Sequence, residues 1–285
     1  MPGNLIDSII KSIRLKAGGF IVTIYGDVVE PRGGHLWIGN LIETCASVGI
    51  SESLVRTAVS RLVAADRLNG EREGRRSYYR LSDSAQTEFL LAASRIFGRR
   101  TRQDWCFIWL DDTGHEPALA HLELAGFRRL APNWFLGPQA HLPPQINAVV
   151  FDAQTQAPRA MLQAMAATHW DLAPLAEAYQ AFVDGFAPVL QRLGDSEDFL
   201  PCHMLQLRLL LVHQFRQVAL RDPDLPDQAL PDGWIGHHAR AVFAELYRAL
   251  SAGADAYVSQ HFVSARGPLP AKTAMIERRL ELLAG

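Results

Sequence analysis

Residues 49–82 restrict the possible folds of this chain more than any other stretch. They read GISESLVRTAVSRLVAADRLNGEREGRRSYYRLS. Ser51 is a favourable N-cap residue, so a helix is predicted to begin there. The segments 68–73 and 77–81 have the composition of strands, and Gly74 followed by two arginines predicts a turn between them. The stretch therefore predicts a helix that leads into a basic hairpin.

The predicted helix has an apolar side and a cationic side. The opposite side from the apolar stripe would hold two cations, Arg56 and Arg61, and no carboxylate. Arginine, serine and threonine contact phosphates and base edges, and arginine can pair bidentately with guanine. For an isolated helix of this kind, a solvated surface is the alternative interpretation. The predicted buried stripe is Leu54, Val55, Ala58, Val59, Leu62 and Val63.

The hairpin favours the DNA interpretation because its arginines cluster beside this helix. Such a cluster can clamp a phosphate backbone, whereas a purely structural hairpin does not need one. Tyr78 and Tyr79 should divide between core and surface, and only the outward one could touch DNA. We therefore predict a winged helix-turn-helix. The hairpin cations are Arg72, Arg75, Arg76 and Arg80, and the predicted DNA-binding set is Ser51, Ser53, Arg56, Thr57, Ser60, Arg61, Arg72, Arg75, Arg76 and Tyr78.

The segments on either side of this stretch complete the predicted domain. An arm or short helix over residues 4–17 would end at Gly18 and Gly19, and a helix is predicted over residues 20–29. A small strand at 35–38 and a helix carrying Leu41, Ile42, Cys45 and Val48 would follow. After the hairpin, Ser82 or Asp83 caps a fourth helix, which would pack beneath the hairpin or against a second subunit. Residues 98–102 read as a basic linker.

Length and charge indicate more than one domain with different partners. A chain of 285 residues suggests two or three domains, and 48% hydrophobic residues can form a sizeable core. Residues 1–104 hold 15 Lys or Arg against 11 Asp or Glu, whereas residues 105–285 hold 13 against 19. Contact with DNA phosphates requires positive charge, and the excess of Lys and Arg in residues 1–104 supplies it. The acidic remainder is better suited to protein or small-molecule partners.

The chain has the features expected of a cytoplasmic protein. Its three cysteines, Cys45, Cys106 and Cys202, are far apart and form no C-x-x-C pair, so neither disulfides nor structural zinc are expected. The N-terminal region lacks the pattern of a signal peptide. The most apolar later stretch, residues 205–212, is short and contains Arg208, so no membrane span is expected.

Three ordered stretches resemble the PaaX family of transcriptional regulators, which is named for repression of phenylacetate catabolism operons. The first is the run VRTAVSRLVAADRLNGEREGRRSYYRLS. The second, WCFIWLDDTGHEPALAHLELAGFRRLAPNWFLGP at residues 105–138, resembles the middle region in its Trp-led strand and its Leu-x-x-x-Gly-Phe helix end. The third, LRLLLVHQFRQVALRDPDLPDQALPDGW at residues 207–234, resembles the C-terminal signature. The resemblance implies a DNA-binding repressor whose inducer is phenylacetyl-CoA.

The middle part of the chain alternates strands and helices. Strands are predicted at 105–110, 134–136 and 146–151, with helices at 118–124 and 158–169. This order suits a ferredoxin-like α+β domain, which the family resemblance also implies. Cas2 nucleases have a similar fold, with an aspartate near the end of the first strand. Asp111 and Asp112 occupy a comparable place, but paired acids after a strand are more often solvated loop residues, and fold analogy does not carry catalysis.

From residue 172 onwards the pattern is helical. The apolar helix at 204–220 carries Arg208, His213 and Arg216, and a third helix is predicted at 237–250. A buried arginine needs an anionic partner, which here would be Asp222 or Asp224, or else an anionic ligand. An acyl-CoA effector, if this chain shares the family inducer, needs cations for its phosphates and an apolar pocket for its ring. The candidate effector-binding set is Arg208, His213, Phe215, Arg216, Arg221 and Trp234.

Enzyme motifs are weak in this sequence. It contains no H-E-x-x-H, G-x-S-x-G, P-loop or G-x-G-x-x-G pattern. Neither the His237–His238 pair nor His203 beside Cys202 has metal-ligand spacing, so no metal, cofactor or catalytic residue is predicted. The alternatives to a regulator are a nucleic-acid or acyl-CoA processing enzyme that carries a winged module, and a winged module used only for protein contacts.

The sequence therefore predicts a multidomain α+β repressor, a cytoplasmic homodimer that binds double-stranded operator DNA and is released by an aryl-acyl-CoA. The predicted domains are a winged helix-turn-helix at 1–98, a ferredoxin-like, Cas2-like middle domain at 99–171, and an all-helical C-terminal domain at 172–285. The operator, the regulated pathway and the sign of regulation stay open at this point.

Overall fold

The structure is a computed structural model that describes residues 2–98, 104–111, 119, 122–123, 125–138, 147–195 and 199–284. The described chain is a mixed α+β protein with small antiparallel sheets and extensive helical regions at both ends. It forms two compact units, each with residues from separate parts of the sequence. The first unit takes its described residues from 1–99, 181–217 and 239–285, and the second from 100–180 and 218–238. The three domain boundaries drawn from the sequence stay a prediction.

The N-terminal part of the first unit consists of helices around a three-stranded sheet. The sheet has the antiparallel order β1–β3–β2, and its hairpin turn consists of Gly74 and Arg75. Gly74 has a φ of +58°, a conformation that favours glycine and suits a two-residue hairpin turn. The elements are α1 Pro2–Ser12, α2 Ala17–Ile24, β1 Leu36–Trp37, α3 Ile38–Ala46, α4 Glu52–Ala64, β2 Leu68–Glu73, β3 Arg76–Leu81 and α5 Asp83–Phe97.

These bounds confirm the helix, turn and hairpin predicted from residues 49–82, but not the first helix boundary. Helix α1 ends at Ser12, and Gly18 and Gly19 lie in the first turn of α2 instead of ending a helix. Glycine is most costly in the interior of a helix, so two glycines in the first turn are compatible with helix formation. Helix α2 continues as a π-helical turn, Tyr25–Val29, and a 3₁₀ turn, Glu30–Arg32, so the apolar stretch remains helical throughout.

The C-terminal part of the chain adds three long helices, each of which contributes residues to both units. Phe182, Phe215 and Phe243 form an aromatic core in the first unit, where the rings of Phe215 and Phe243 stack with centroids 4.1 Å apart. Among the residues that the structure describes, none of the helices has the length and hydropathy of a membrane-spanning segment. The elements are α6 Arg159–His169, α7 Leu172–Asp195, α8 Pro201–Ala219, α9 Ile235–His261, β8 Val263–Ser264, β9 Gly267–Pro268 and α10 Ala274–Ala284, with a 3₁₀ turn at Asp227–Ala229.

The second unit contains a four-stranded antiparallel sheet. Its strand order is β5–β6–β4–β7, so the first strand in the sequence lies inside and the last lies at an edge. One face of β4 carries Cys106, Ile108 and Leu110, which pack on Phe127 and Phe135. The strands are β4 Trp105–Leu110, β5 Arg128–Ala131, β6 Trp134–Pro138 and β7 Ala148–Ala153.

The remainder of the second unit fixes the segment after α8 against this sheet. The indole of Trp170 donates a hydrogen bond to the Gly126 carbonyl at 2.8 Å. Gly126 has a φ of +93°, and a Cβ added there would lie 2.4 Å from the Pro223 carbonyl oxygen, so only glycine fits. The Tyr179 hydroxyl donates to Asp222 at 2.7 Å. The predicted helix at 118–124 and the basic linker at 98–102 lie largely outside the described residues.

Candidate nucleic-acid interface

Helix α4 begins at the predicted position but without the predicted cap. Ser51 occupies the N-cap position with extended backbone angles, yet its hydroxyl forms no capping hydrogen bond. The hydroxyl instead lies 3.1 Å from that of Ser53. Both serines are exposed, so their hydroxyl groups point into the solvent at the start of the helix.

The apolar stripe of α4 is narrower than predicted. Val55 and Val59 are buried, whereas Leu54 is 56% exposed and Val63 is 41% exposed. The prediction of a six-residue buried stripe was therefore wrong, because α4 is covered on one side only. The exposed part of this stripe leaves apolar surface beside the cationic side of the helix.

The cationic side of α4 contains a carboxylate that the prediction excluded. Glu52 accepts a hydrogen bond from Nε of Arg56 at 2.8 Å, and a terminal nitrogen of the same guanidinium lies 2.7 Å from the same carboxylate oxygen as an ion pair. This exposed pair, four residues apart on a helix, orients the arginine more than it stabilises the fold. Thr57 donates to the Ser53 carbonyl at 2.8 Å. Arg61 is exposed and forms no ion pair or hydrogen bond within the described part of the chain.

The hairpin presents its cations in different settings. Arg72 donates to the Gly74 carbonyl at 3.3 Å, and Arg75 is exposed at the tip. The Arg76 guanidinium lies 4.9 Å from the ring centroid of Trp37, a cation–π contact that holds it against the sheet. Arg80 pairs with Asp83 at 3.2 Å. Arg75 is therefore the hairpin cation best placed to reach another molecule.

A groove of about 450 Å³ separates α4 from the hairpin. Arg56 and Ser60 line it on the helix side, and Arg72 lines it on the hairpin side. The structure thus brings three predicted residues from two elements to one concave surface. The full lining is Ile38, Arg56, Val59, Ser60, Val63, Gly70, Glu71, Arg72, Ser77 and Tyr79.

The two adjacent tyrosines of β3 divide between core and surface in the order opposite to the prediction. Tyr78 is 5% exposed and belongs to the core, so its inclusion among the DNA-binding residues was wrong. Successive strand residues point to opposite faces, and Tyr79 therefore lines the groove. The Tyr79 ring packs on Gly70, its pairing partner on β2. A Cβ added to Gly70 would lie 2.9 Å from this ring.

We expect replacement of Tyr79 with phenylalanine to weaken DNA binding about two- to tenfold, the value of one hydrogen bond, without lowering stability. Tyr78→Phe is the matched control, since it removes only the hydroxyl of the buried neighbour and should leave affinity unchanged. Fluorescence anisotropy with labelled duplex DNA gives the affinity, and thermal unfolding gives the stability. Weaker binding by Tyr78→Phe alone would restore the original prediction.

Arg208, predicted to face an effector, has internal partners instead. It is 1% exposed, and it donates from Nε to Asp27 at 2.9 Å and from a terminal nitrogen to Asp255 at 2.6 Å. Burial by itself lowers the pKa of Arg208, but Asp27, Tyr247 and Asp255 raise it above the ordinary arginine value. The predicted partners Asp222 and Asp224 were therefore wrong, and Arg208 is not available to a ligand.

The other predicted effector residues of the first unit are also largely internal. Phe215 is fully buried in the aromatic core. Nδ1 of His213 lies 2.8 Å from the Thr23 hydroxyl, and burial, with Arg216 beside it, lowers the pKa of His213 to about 4. The imidazole is neutral at pH 7 and supplies no charge for a phosphate. Arg216 is half-buried and donates to the Gly19 carbonyl at 3.1 Å.

Two members of the effector set, Arg221 and Trp234, belong to the second unit. Trp234 is 5% exposed and packs edge-on against Tyr179, with ring centroids 6.3 Å apart. Arg221 is exposed. Neither unit therefore brings the six predicted residues together by itself, and Arg216 and Arg221 are the cations of the set with exposed surface.

Sequence reasoning missed two contacts that position arginines of the candidate interface. No role was predicted for Trp37. It pairs with Tyr78 across the sheet, and its ring forms the cation–π contact with Arg76. A tryptophan between a short strand and a helix, on a domain rich in arginine, is the signal that could have indicated a cation–π partner. No ion pair was predicted for Glu52, although its spacing of four residues from Arg56 favours one.

Within the described residues, no metal-binding cluster of side chains supports the enzyme alternatives. No group of three His, Cys, Asp or Glu side chains in the described ranges could hold a metal ion. His237 lies 3.1 Å from Asp227, and Cys202 is a free thiol. Asp111 is exposed after β4, and Asp112 lies outside the described residues.

An exposed helix and an adjacent hairpin, with arginines on both sides of one groove, define an α+β protein of the nucleic-acid-binding class. Comparison with known proteins is more specific. Residues 16–85 match the family model of PaaX-like proteins, and residues 170–260 match that of the PaaX-like protein C-terminal domain. The chain belongs to the PaaX family.

A relative and a solved structure extend this result over most of the chain. The transcriptional repressor PaaX of Escherichia coli K12 is 31% identical over 296 aligned positions, which cover 97% of this chain and 93% of that protein. An uncharacterized protein from Mycobacterium tuberculosis has a similar fold, with a TM-score of 0.52 and 21% identity. That match covers 85% of this chain and 99% of the other.

Proposed function

We propose that this protein is a DNA-binding transcriptional repressor of a catabolic operon of the phenylacetate type. The observation that carries the proposal is the 31% identity, over nearly the whole of both chains, to a protein described as a transcriptional repressor. The groove between α4 and the hairpin supports it, because its cations come from two elements that a duplex could contact together. Family membership also favours a regulator acting in the cytoplasm over the nuclease and acyl-CoA processing alternatives.

The finer fold assignments belong to the same proposal. The order α2, β1, α3, α4, β2, β3 with the sheet β1–β3–β2 supports a winged helix-turn-helix with α4 as its recognition helix. In the second unit, the strands have the chain order 2–3–1–4 across an antiparallel sheet, which supports a ferredoxin-like arrangement.

Operator binding in this proposal uses two copies of the chain. A dimer places two recognition helices in successive major grooves, about 34 Å apart, and so reads a partly palindromic site. Helix α5 leaves Leu90 and Leu91 62% exposed, and apolar side chains at adjacent positions support contact with a second subunit on this helix.

Release from the operator would follow from binding of an aryl-acyl-CoA such as phenylacetyl-CoA. A ligand that prefers the conformation unable to span both half-sites shifts the protein away from DNA by its differential affinity alone. Arg216 of the first unit supplies a cation for the phosphates in this proposal, since Arg208 is paired with aspartates and His213 is neutral.

Gel-shift of the intergenic DNA upstream of the gene, across a panel of acyl-CoA compounds, tests the function. We expect a discrete protein–DNA complex that dissociates when phenylacetyl-CoA is added. Free coenzyme A should leave the complex intact. By calorimetry, Arg216→Ala should weaken phenylacetyl-CoA binding about tenfold or more, since a hydrogen bond to a charged group is worth about 1.5–3 kcal/mol.

The matched control for this effector test is Arg248→Ala, which removes an exposed arginine of α9. Its affinity for phenylacetyl-CoA should equal that of the wild type. Equal affinity of Arg216→Ala and wild type would remove Arg216 from the effector site. Turnover of nucleic acid or acyl-CoA by the purified protein would contradict the repressor assignment.

A further inference from the structure

Leu54 is an exposed leucine at the start of α4, the helix that carries the candidate interface. It is 56% exposed, and Glu52 and Ser53, which precede it in the helix, are exposed as well. A single exposed leucine is ordinary on a protein surface, so its position must distinguish it. Here an apolar side chain stands among the groups through which the helix would contact another molecule.

The side of α4 that carries Leu54 also carries Arg61. The two residues are seven apart, and residues at this spacing share one face of a helix. Thr57, three residues after Leu54, lies beside it. All three residues are exposed, and this face turns away from the buried side chains of Val55 and Val59. A duplex in contact with Thr57 and Arg61 therefore also covers Leu54.

The groove described above does not account for this surface. Its lining includes neither Leu54 nor Arg61, so both residues lie on the part of α4 outside the groove. The N-terminal residues of a recognition helix are the ones that approach base edges in the major groove. Leu54 is the third residue of α4 and has this position.

The chemistry of DNA leaves one group that suits a leucine. Base edges in the major groove present hydrogen-bond donors and acceptors, and their apolar group is the 5-methyl group of thymine. A leucine placed over a donor or acceptor would remove its water without replacing the hydrogen bond, which costs free energy. A leucine placed over the methyl group buries apolar surface on both molecules, which is favourable.

We propose that Leu54 is a specificity-determining residue that packs on the 5-methyl group of one thymine in each half-site. This inference rests on the proposed function, because it requires α4 to lie in the major groove of DNA. The contact involves no charge and no hydrogen bond, so it adds sequence selectivity without adding affinity for phosphates. Removing one such methyl group from the duplex should weaken binding about fourfold, the value of one buried carbon group.

Replacement of thymines by deoxyuridine tests this contact, since deoxyuridine lacks the methyl group and keeps the base pairing. The probe is a duplex that the wild-type protein selects from random-sequence DNA, with each thymine replaced in turn. Fluorescence anisotropy should show one position in each half-site where wild type loses about fourfold in affinity. Leu54→Ala should bind the unmodified duplex about fourfold more weakly than wild type and lose nothing further at that position.

Two further variants distinguish a methyl contact from a general effect of the substitution. Leu200→Ala makes the same change at a 58% exposed position and should keep the wild-type response to every deoxyuridine. Leu54→Met keeps an apolar side chain of similar size and should retain the loss at the same thymine. Affinity for nonspecific DNA and thermal stability should be equal in Leu54→Ala and wild type, because the leucine is exposed and uncharged.

An equal loss in Leu54→Ala and wild type at every deoxyuridine would overturn the proposal. A wild-type protein that binds the duplex and responds to no deoxyuridine would also overturn it, and would leave the proposed function intact. A protein that selects and retains no duplex would contradict the proposed function itself. A lower sedimentation mass of Leu54→Ala would instead assign Leu54 to a contact between protein copies and overturn the methyl contact.

Discussion

Replacing Arg208 with methionine is expected to destabilise the first unit by about 3–5 kcal/mol. The substitution keeps most of the side-chain volume but removes the cation that joins Asp27 to Asp255. Arg208 and Asp27 are each 1% exposed, so the remaining carboxylates cannot recover their hydration without opening the core. Breaking a buried ion pair costs more than the pair contributes, because an uncompensated charge is left behind.

The remaining contacts of Asp27 and Asp255 determine which of the two carboxylates loses more stabilisation in Arg208→Met. Arg32 also donates to Asp255 at 2.5 Å, so that carboxylate keeps one cation after the substitution. Asp27 keeps only hydrogen bonds, among them one from the Tyr247 hydroxyl at 2.8 Å. Adding Asp27→Asn to Arg208→Met should therefore restore part of the lost stability.

Urea unfolding followed by circular dichroism measures the loss, and hydrogen exchange locates it in peptides of α2, α8 and α9. Arg248→Met is the control, because Arg248 is exposed on α9 and its replacement should change stability by no more than about 0.5 kcal/mol. If the two variants unfolded at the same urea concentration, Arg208 would not hold the first unit together.

The partners of Arg208 illustrate what the sequence could not provide. The apolar periodicity of residues 204–220 placed Arg208 on a buried helix. Burial of an arginine correctly predicted an anionic partner. The anion was sought nearby, at Asp222 and Asp224, whereas Asp27 is 181 residues away in the sequence. No local pattern links an arginine of α8 to the π-helical turn after α2. Packing between distant segments decides such pairs.

Local patterns predicted the elements of the candidate interface better than the orientation of their side chains. The helix at α4 and the strands β2 and β3 follow from apolar spacing and the glycine turn. Whether Tyr78 or Tyr79 faces outward depends on the phase of β3, and β3 pairs with β1 as well as β2. The apolar alternation of one short strand does not fix that phase.

The resemblance to a known family identified the class of protein correctly but did not separate core from site. His213 and Phe215 belong to the C-terminal signature, and both are buried structural residues here. Recurrent residues of a family include those that hold its core together as well as those that contact ligands. The signature was therefore sufficient for the function and insufficient for the effector set.

Changing Arg75 and Arg76 together to alanine is expected to weaken operator and nonspecific DNA binding alike, on the order of a hundredfold at low salt. Hydrogen bonds to charged groups are worth about 1.5–3 kcal/mol each, and two contacts near the lower value give this factor. The loss should be independent of sequence because the hairpin tip would contact phosphates and not base edges.

The salt dependence of binding carries the sharper test. Each phosphate contact contributes about 0.9 to the slope of log affinity against log salt, so the double variant should flatten the slope by about 1.8. Arg75→Ala alone should remove about half of this amount, since Arg75 is exposed at the tip. Arg76→Ala should remove the rest, because the Trp37 ring, 4.9 Å from the guanidinium, already fixes its position before DNA arrives.

Arg278→Ala is the matched control for charge, since it removes an exposed cation of α10, remote in sequence from the hairpin. It changes the net charge by the same amount as either single variant, so it should lower nonspecific affinity slightly and leave the slope unchanged. A double variant with the wild-type slope would mean that the hairpin does not contact phosphates. Binding would then depend on α4 alone, where Arg61 is exposed and Arg56 is oriented by Glu52.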